Sequence, residues 1–119
     1  MITFEKYTNE LINFLINENY SDVYILRNDE IIIGYGKINT DVNNKVEIFI
    51  LPEYRGNGYG KQLFDNLIKT INNLNCIMIT FENNNVIAKR IIESFGGKQE
   101  SLTAGIVRYI LPLNNDENL

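Results

Sequence analysis

Histidine is absent from the 119 residues, and cysteine occurs once, as Cys76. Without imidazoles and with a single thiol, the usual nitrogen and sulfur ligands of a zinc site cannot be assembled, so no metal centre is expected. A lone cysteine also excludes an internal disulfide and suits a reducing compartment. Long apolar runs are missing too. Nothing approaches the roughly 20 consecutive apolar residues that span a bilayer. The start, Met1-Ile2-Thr3-Phe4-Glu5-Lys6, lacks the basic-then-apolar order of a secretory leader. A cytoplasmic protein without membrane attachment is the expectation. Basic residues are in the minority, with 11 Lys and Arg against 15 Asp and Glu and a formal charge of −4. That balance argues against nucleic acid, whose binding depends on clustered cations neutralising phosphates. It suits a cationic partner such as a free amine, although net charge also serves solubility.

What the chain does have is enough apolar material, 45% of residues, for one core and one domain. We assign residues 1–113 to that domain and the polar stretch 114–119 to a frayed tail. From Glu5 to Asn19, Leu11, Ile12, Leu15 and Ile16 recur at helical spacing. Val23 to Leu26 and Ile31 to Ile38 are β-branched and aromatic around a turn-prone Arg27-Asn28-Asp29-Glu30, which reads as a hairpin. A third strand, Lys45 to Leu51, ends at Pro52, which has no amide hydrogen to give a ladder. Leu63, Phe64, Leu67, Ile68 and Ile71 mark a helix from Gly58 to Asn72, and Cys76 to Phe81 a buried strand. Two strands joined through a helix must run parallel. Val86 to Phe95 forms another helix, with Asn85 as N-cap and Gly96-Gly97 as its stop. Lys98 to Leu102 and Ile106 to Leu113 close the chain as a hairpin. The predicted fold is mixed α/β in the order α-β-β-β-α-β-α-β-β.

The chemistry concentrates in Arg55-Gly56-Asn57-Gly58-Tyr59-Gly60-Lys61. Glycines at alternate positions, after a strand and before a helix, leave backbone N–H groups unobstructed where the helix dipole is positive, and Arg55 and Lys61 add full charges. Such a turn binds phosphate. A nucleotide P-loop is excluded because Arg55 stands at its first Gly position and Gln62 at its hydroxyl position. A dinucleotide fingerprint is excluded because Lys61 takes its third Gly and the strand after the helix, which begins at Cys76, brings no acidic residue until Glu82.

What remains is Arg-x-x-Gly-x-Gly, and here the segment Val46 to Lys61 resembles the GNAT superfamily of acyl-CoA-dependent N-acyltransferases almost throughout. Asn85-x-x-Ala88 leading into Ile91-Ile92-Glu93-Ser94-Phe95-Gly96 resembles that family's second motif. The resemblance implies a GNAT-like fold, here shortened at the N-terminus, since no first strand is evident and only one helix precedes the meander. It implies acetyl-CoA (coenzyme A) as cosubstrate and an amine of a small molecule or a peptide as acceptor. Main-chain groups of Phe49, Ile50 and Leu51 would hold the pantetheine arm, Arg55, Gly56, Asn57, Gly58, Tyr59, Gly60 and Lys61 the pyrophosphate, with Asn85 near the cofactor. Asn85 also reads as a plain helix cap.

For catalysis the resemblance implies direct attack of a neutral amine, with Glu47 as candidate base. Glu47 has a second reading, as a carboxylate on a solvent-facing sheet surface or bound to a neighbouring lysine. The tyrosine that many members use to protonate the leaving thiolate is replaced by Ile92, which leaves Tyr109, Tyr54 or Tyr59 as substitutes only if the fold carries a hydroxyl to the sulfur. Cys76 reads as a small core residue. The runner-up function is a non-catalytic acyl-CoA-binding regulatory module, motivated by Ile92 and by the short N-terminal region, and the sequence leaves room for a homodimer. An unrelated α/β interaction domain is a third reading.

Overall fold

A computed structural model describes residues 1–7, 22–71 and 73–113. One sheet of seven strands runs through them. It comprises β1 (Ile2–Tyr7), β2 (Asp22–Asn28), β3 (Ile31–Asn39), β4 (Lys45–Ile50), β5 (Cys76–Glu82), β6 (Lys98–Thr103) and β7 (Ile106–Pro112). Two helices are described, α1 (Tyr59–Thr70) and α2 (Val86–Ser94), and a single 3₁₀ turn at Pro52–Tyr54 follows β4. The strand order is β1-β2-β3-β4-β5-β7-β6, antiparallel except where β4 meets β5.

The order of elements agrees with the sequence expectation from β2 onward, and one element corrects it. The helix expected from Glu5 begins instead as a strand, because Ile2–Tyr7 pairs antiparallel with β2 over six residues, Ile2 opposite Asn28 and Tyr7 opposite Val23. Phe4 stacks on Tyr24 with ring centroids 5.2 Å apart, and Glu5 and Lys6 meet Arg27 and Asp22 across the strand pair at 2.6 and 2.8 Å. A first strand is therefore present, and the N-terminus is not shortened in that respect. The rest of the expected helix, residues 8–19, lies outside the described residues, as does the tail 114–119.

Both described helices pack on one face of the sheet. Leu63, Phe64 and Leu67 are the buried residues of α1. Phe64 and Leu67 join Tyr24, Ile38, Val46, Ile77 and Tyr109 in the main core, while Leu63 packs with Leu26 and Ile33 in a smaller cluster beside it. Phe64 meets Phe95 edge to face at 5.1 Å, tying α1 to the end of α2. Successive strand residues point to opposite faces. Val46, Ile48 and Ile50 thus meet the helices, and Lys45, Glu47 and Phe49 lie on the other face.

Candidate active site

The feature that makes a site is a parting of two strands. β4 and β5 are paired only at Lys45 with Met78 and Val46 with Ile79, although β4 runs on to Ile50 and β5 to Glu82. Each strand is fully paired on its far side, β4 with six residues of β3 and β5 with seven of β7, so neither can swing in to close the opening. The gap widens toward the ends of both strands into a cavity of about 910 Å³, near the upper end of ordinary small-molecule sites.

Which backbone groups face the gap follows from the alternation of an antiparallel ladder. The Leu51 N–H donates to the Ile33 carbonyl at 2.9 Å, so Leu51, Phe49 and Glu47 direct their polar groups to β3. Those of Ile48 and Ile50 face the opening instead. The backbone groups of Phe49 and Leu51, expected to face a ligand arm together with those of Ile50, turn to β3 instead, and the residues whose backbone faces the opening are Ile48 and Ile50. Phe49 contributes to the cavity wall, and Leu51 is not among the lining residues. Sequence reasoning missed Ile48 because ladder parity is set by pairing with β3, which no local pattern encodes.

The glycine turn stands at the wide end. Gly56 and Gly58 have φ of +83° and +81°, a left-handed conformation that a β-carbon disfavours. A Cβ added at either would meet no atom within 4 Å, so space outside both glycines is open. Among the described residues, no carbonyl accepts from the backbone N–H groups of Gly56 through Lys61. They precede or begin a 12-residue helix with no acidic residue in its first turn. This is an arrangement of free donors and helix dipole that fits a phosphate group.

Around that turn the expected residues divide. Arg55, Gly56, Gly58, Tyr59, Gly60, Lys61 and Ile50 line the cavity, as does Asn85 across the mouth. Arg55 is tied back to the strand, its Nε donating to the Ile50 carbonyl at 2.8 Å and its guanidinium 5.2 Å from the Phe49 ring centroid. Asn57 is not a lining residue. Its Nδ2 donates to the carbonyls of Tyr54 and Arg55 at 3.2 and 3.4 Å and braces the turn. Asn85 caps α2, its Oδ1 accepting from the Ala88 N–H at 3.1 Å, so the cap and the cavity share one side chain.

Of the two catalytic candidates, the fold brings one to the gap. Glu47 lies one residue beyond the last β4–β5 pair and lines the cavity, with Lys37 Nζ 3.7 Å from Oε1 and Lys45 Nζ 3.9 Å from Oε2. Tyr109 is buried in the core, stacked on Phe81 at 5.4 Å, and is not a lining residue. Its hydroxyl donates to Glu93 Oε2 at 2.6 Å, and that bond, with burial and the carboxylate's charge, raises the phenol above its ordinary value. Ile92 is buried at the cavity wall and offers no proton there. Tyr54 and Tyr59 do reach the cavity, and so does Thr80 of β5, a hydroxyl that the sequence did not single out. Cys76 stays outside it.

A glycine turn of free amides beside a parted parallel pair is the observation that comparison with known proteins decides. A sequence profile of the acetyltransferase (GNAT) family matches residues 2–96. The chain belongs to the GNAT family. Solved structures agree on the fold of this GNAT protein. The ribosomal-protein-S18-alanine N-acetyltransferase from Escherichia coli superposes with a TM-score of 0.77 at 17% identity, covering 100% of this chain and 99% of that one. A spermidine N-acetyltransferase from Vibrio cholerae, in complex with CoA and spermine, gives 0.72 at 21% identity over 90% of this chain and 77% of its own. A GNAT family acetyltransferase from Elizabethkingia anophelis with acetyl-CoA bound gives 0.74 at 14% identity, over 94% and 98%. Curated proteins give no match to the sequence. Among the described residues of this GNAT chain, no helix is long and apolar enough to cross a membrane.

Proposed function

We propose that this GNAT protein transfers an acetyl group from acetyl-CoA to a primary amine of a small molecule or a protein, by direct attack with both substrates bound. The observation that carries the reading is the gap between β4 and β5, which begins beyond Val46 and Ile79 and opens onto the unpaired amides of residues 56–61. Those amides and Lys61 suit the pyrophosphate, and the outward polar groups of Ile48 with the N–H of Ile50 suit the pantetheine amides, which need partners once out of water. When bound, acetyl-CoA supplies an activated thioester carbonyl. Its position at the narrow end would bring the acceptor in from the Glu47 face of the sheet.

The chain's own residues then have a proton to manage. An alkyl ammonium has a pKa of about 10.4 in water, so the amine must shed a proton before or as its nitrogen forms the new C–N bond. Glu47 is placed to take it, directly or through one water. The C–S bond breaks to release a thiolate with a pKa near 8.5, which water can protonate; no tyrosine is assigned to that step, and Tyr109, committed to Glu93, has no part in it. Release of free thiol from acetyl-CoA across a panel of primary amines tests the reading. The Glu47→Gln variant should bind acetyl-CoA normally and lose about a hundredfold in kcat, within the ~10²–10⁴ range of general-base catalysis. Unchanged turnover in that variant clears Glu47 of the role.

Ile92 favours a second reading, an acyl-CoA-binding regulatory module without catalysis. The missing first strand that also spoke for it is not missing, since β1 is present and paired, and the single helix expected before the meander lies outside the described residues. A wild-type protein that binds acetyl-CoA tightly yet acetylates no amine would establish the module.

A further inference from the structure

Lys37 is the one buried charged side chain among the described residues, at 5% exposure. It stands on β3 directly opposite Glu47, with its ammonium 3.7 Å from Oε1 and 5.5 Å from the Tyr35 ring centroid. Burying an ammonium is costly, and well-packed apolar residues in place of a whole buried ion pair are often as stable or more so. Stability alone is therefore a poor reason for a lysine at this position. The partner is the informative part.

Glu47 occupies the level at which β4 leaves β5, one step past the Val46–Ile79 pair and level with Thr80 by continuation of the same register. A half-exposed glutamate left to itself samples several rotamers, many pointing into water, whereas a general base must stay within hydrogen-bond reach of the proton it takes. Lys45 meets the second oxygen, Oε2, at 3.9 Å from the same face of β4. Its side chain is 34% exposed against 6% for Lys37, so solvent weakens its hold more.

We infer that Lys37 is a positioning residue: from within the sheet it holds the Glu47 carboxylate at the apex of the β4–β5 gap, where the amine must lose its proton. The inference rests on the base role proposed for Glu47. It makes Lys37 part of the acceptor chemistry although the side chain is not among those lining the cavity.

Lys37→Met keeps an unbranched side chain of similar length without the charge. In this variant the affinity for acetyl-CoA should be unchanged, kcat should fall about tenfold, a part of the ~10²–10⁴ that a general base supplies, and Lys37→Arg should recover most of the loss. Added to Glu47→Gln, Lys37→Met should cost little further activity, because the two act through one group. Equal losses in the two backgrounds, or an unchanged kcat, overturn the inference. A readout independent of turnover is the crystal structure of each protein with coenzyme A. The Glu47 carboxylate should leave its place beside the gap in Lys37→Met and keep it in Lys37→Arg. A carboxylate unmoved in Lys37→Met refutes the positioning role even if no acceptor is found. A wild type that binds acetyl-CoA and acetylates nothing removes only the enzymatic reading. Lys37→Gln, read in the same two ways, serves if Met prevents folding.

Discussion

Tyr109 buries its ring to 2% exposure on the core side of β7, yet its hydroxyl reaches an exposed carboxylate, Glu93, on α2. The hydrogen bond to Glu93 favours the protonated phenol, as do burial and the neighbouring negative charge, so the folded protein holds Tyr109 above the unfolded value of about 10. A group raised on folding stabilises the native state fully below its unfolded pKa, and that contribution is lost as pH rises through the folded value. Wild-type stability should thus decline from about pH 10 upward. Tyr109→Phe should be less stable at neutral pH and decline less steeply, since Tyr24, raised by burial, and Lys6, raised by its bond to Asp22, still titrate in that range; urea midpoints measured across the range give the comparison. If the two curves stay parallel, Tyr109 is not the titrating group. The same contact explains why this residue, a plausible acid from its position on the last strand, is spent on joining β7 to α2.

At the scale of elements, α2 shows one side chain with two uses. Asn85 accepts from the Ala88 N–H as a helix cap while lining the cavity mouth. Asn85→Ala should cost about 1 kcal/mol of stability, the usual worth of such a cap. Asn85→Asp keeps the accepting oxygen but removes the amide donor and adds a charge, so it should hold stability while weakening acetyl-CoA binding. Denaturant unfolding and calorimetric titration separate the two, and equal affinity in Asn85→Asp would reduce Asn85 to a cap. Most elements were legible because their signals are local: Pro52 stops β4, alternate glycines open the turn, and Leu63, Phe64 and Leu67 recur at the helical period. β1 was not. Its alternation, Ile2 and Phe4 inward against Thr3 and Glu5 outward, spans only a few residues and runs into the helical periodicity that follows. What stabilises it is tertiary, the Phe4–Tyr24 stack and the ion pairs to β2.

At the scale of the whole molecule, the sheet is a scaffold for the parting of β4 from β5. β5 is locked to β7 and β4 to β3, so the groups of Ile48 and the N–H of Ile50 are held open in the folded protein, while the Ile50 carbonyl accepts from Arg55. A ligand filling that gap binds the native state alone, and acetyl-CoA at 100 times its Kd should stabilise the protein by about 2.7 kcal/mol. Thermal unfolding with and without millimolar acetyl-CoA measures this, and the absence of any shift would sink the acyl-CoA site together with the function built on it.

Local sequence alone determined the glycine turn, since glycine spacing, a strand stop and a helix start all lie within a few residues, and from it came the family. Tertiary structure decided what the turn is joined to. Glu47 was a candidate from its place beside the motif, but that it meets Lys37 and Lys45, that Tyr109 turns to Glu93, and that the backbone of Ile48 faces the gap while that of Phe49 and Leu51 faces β3 depend on strand register. Register is fixed by which strands pair and where they part, and those contacts join residues far apart in the chain.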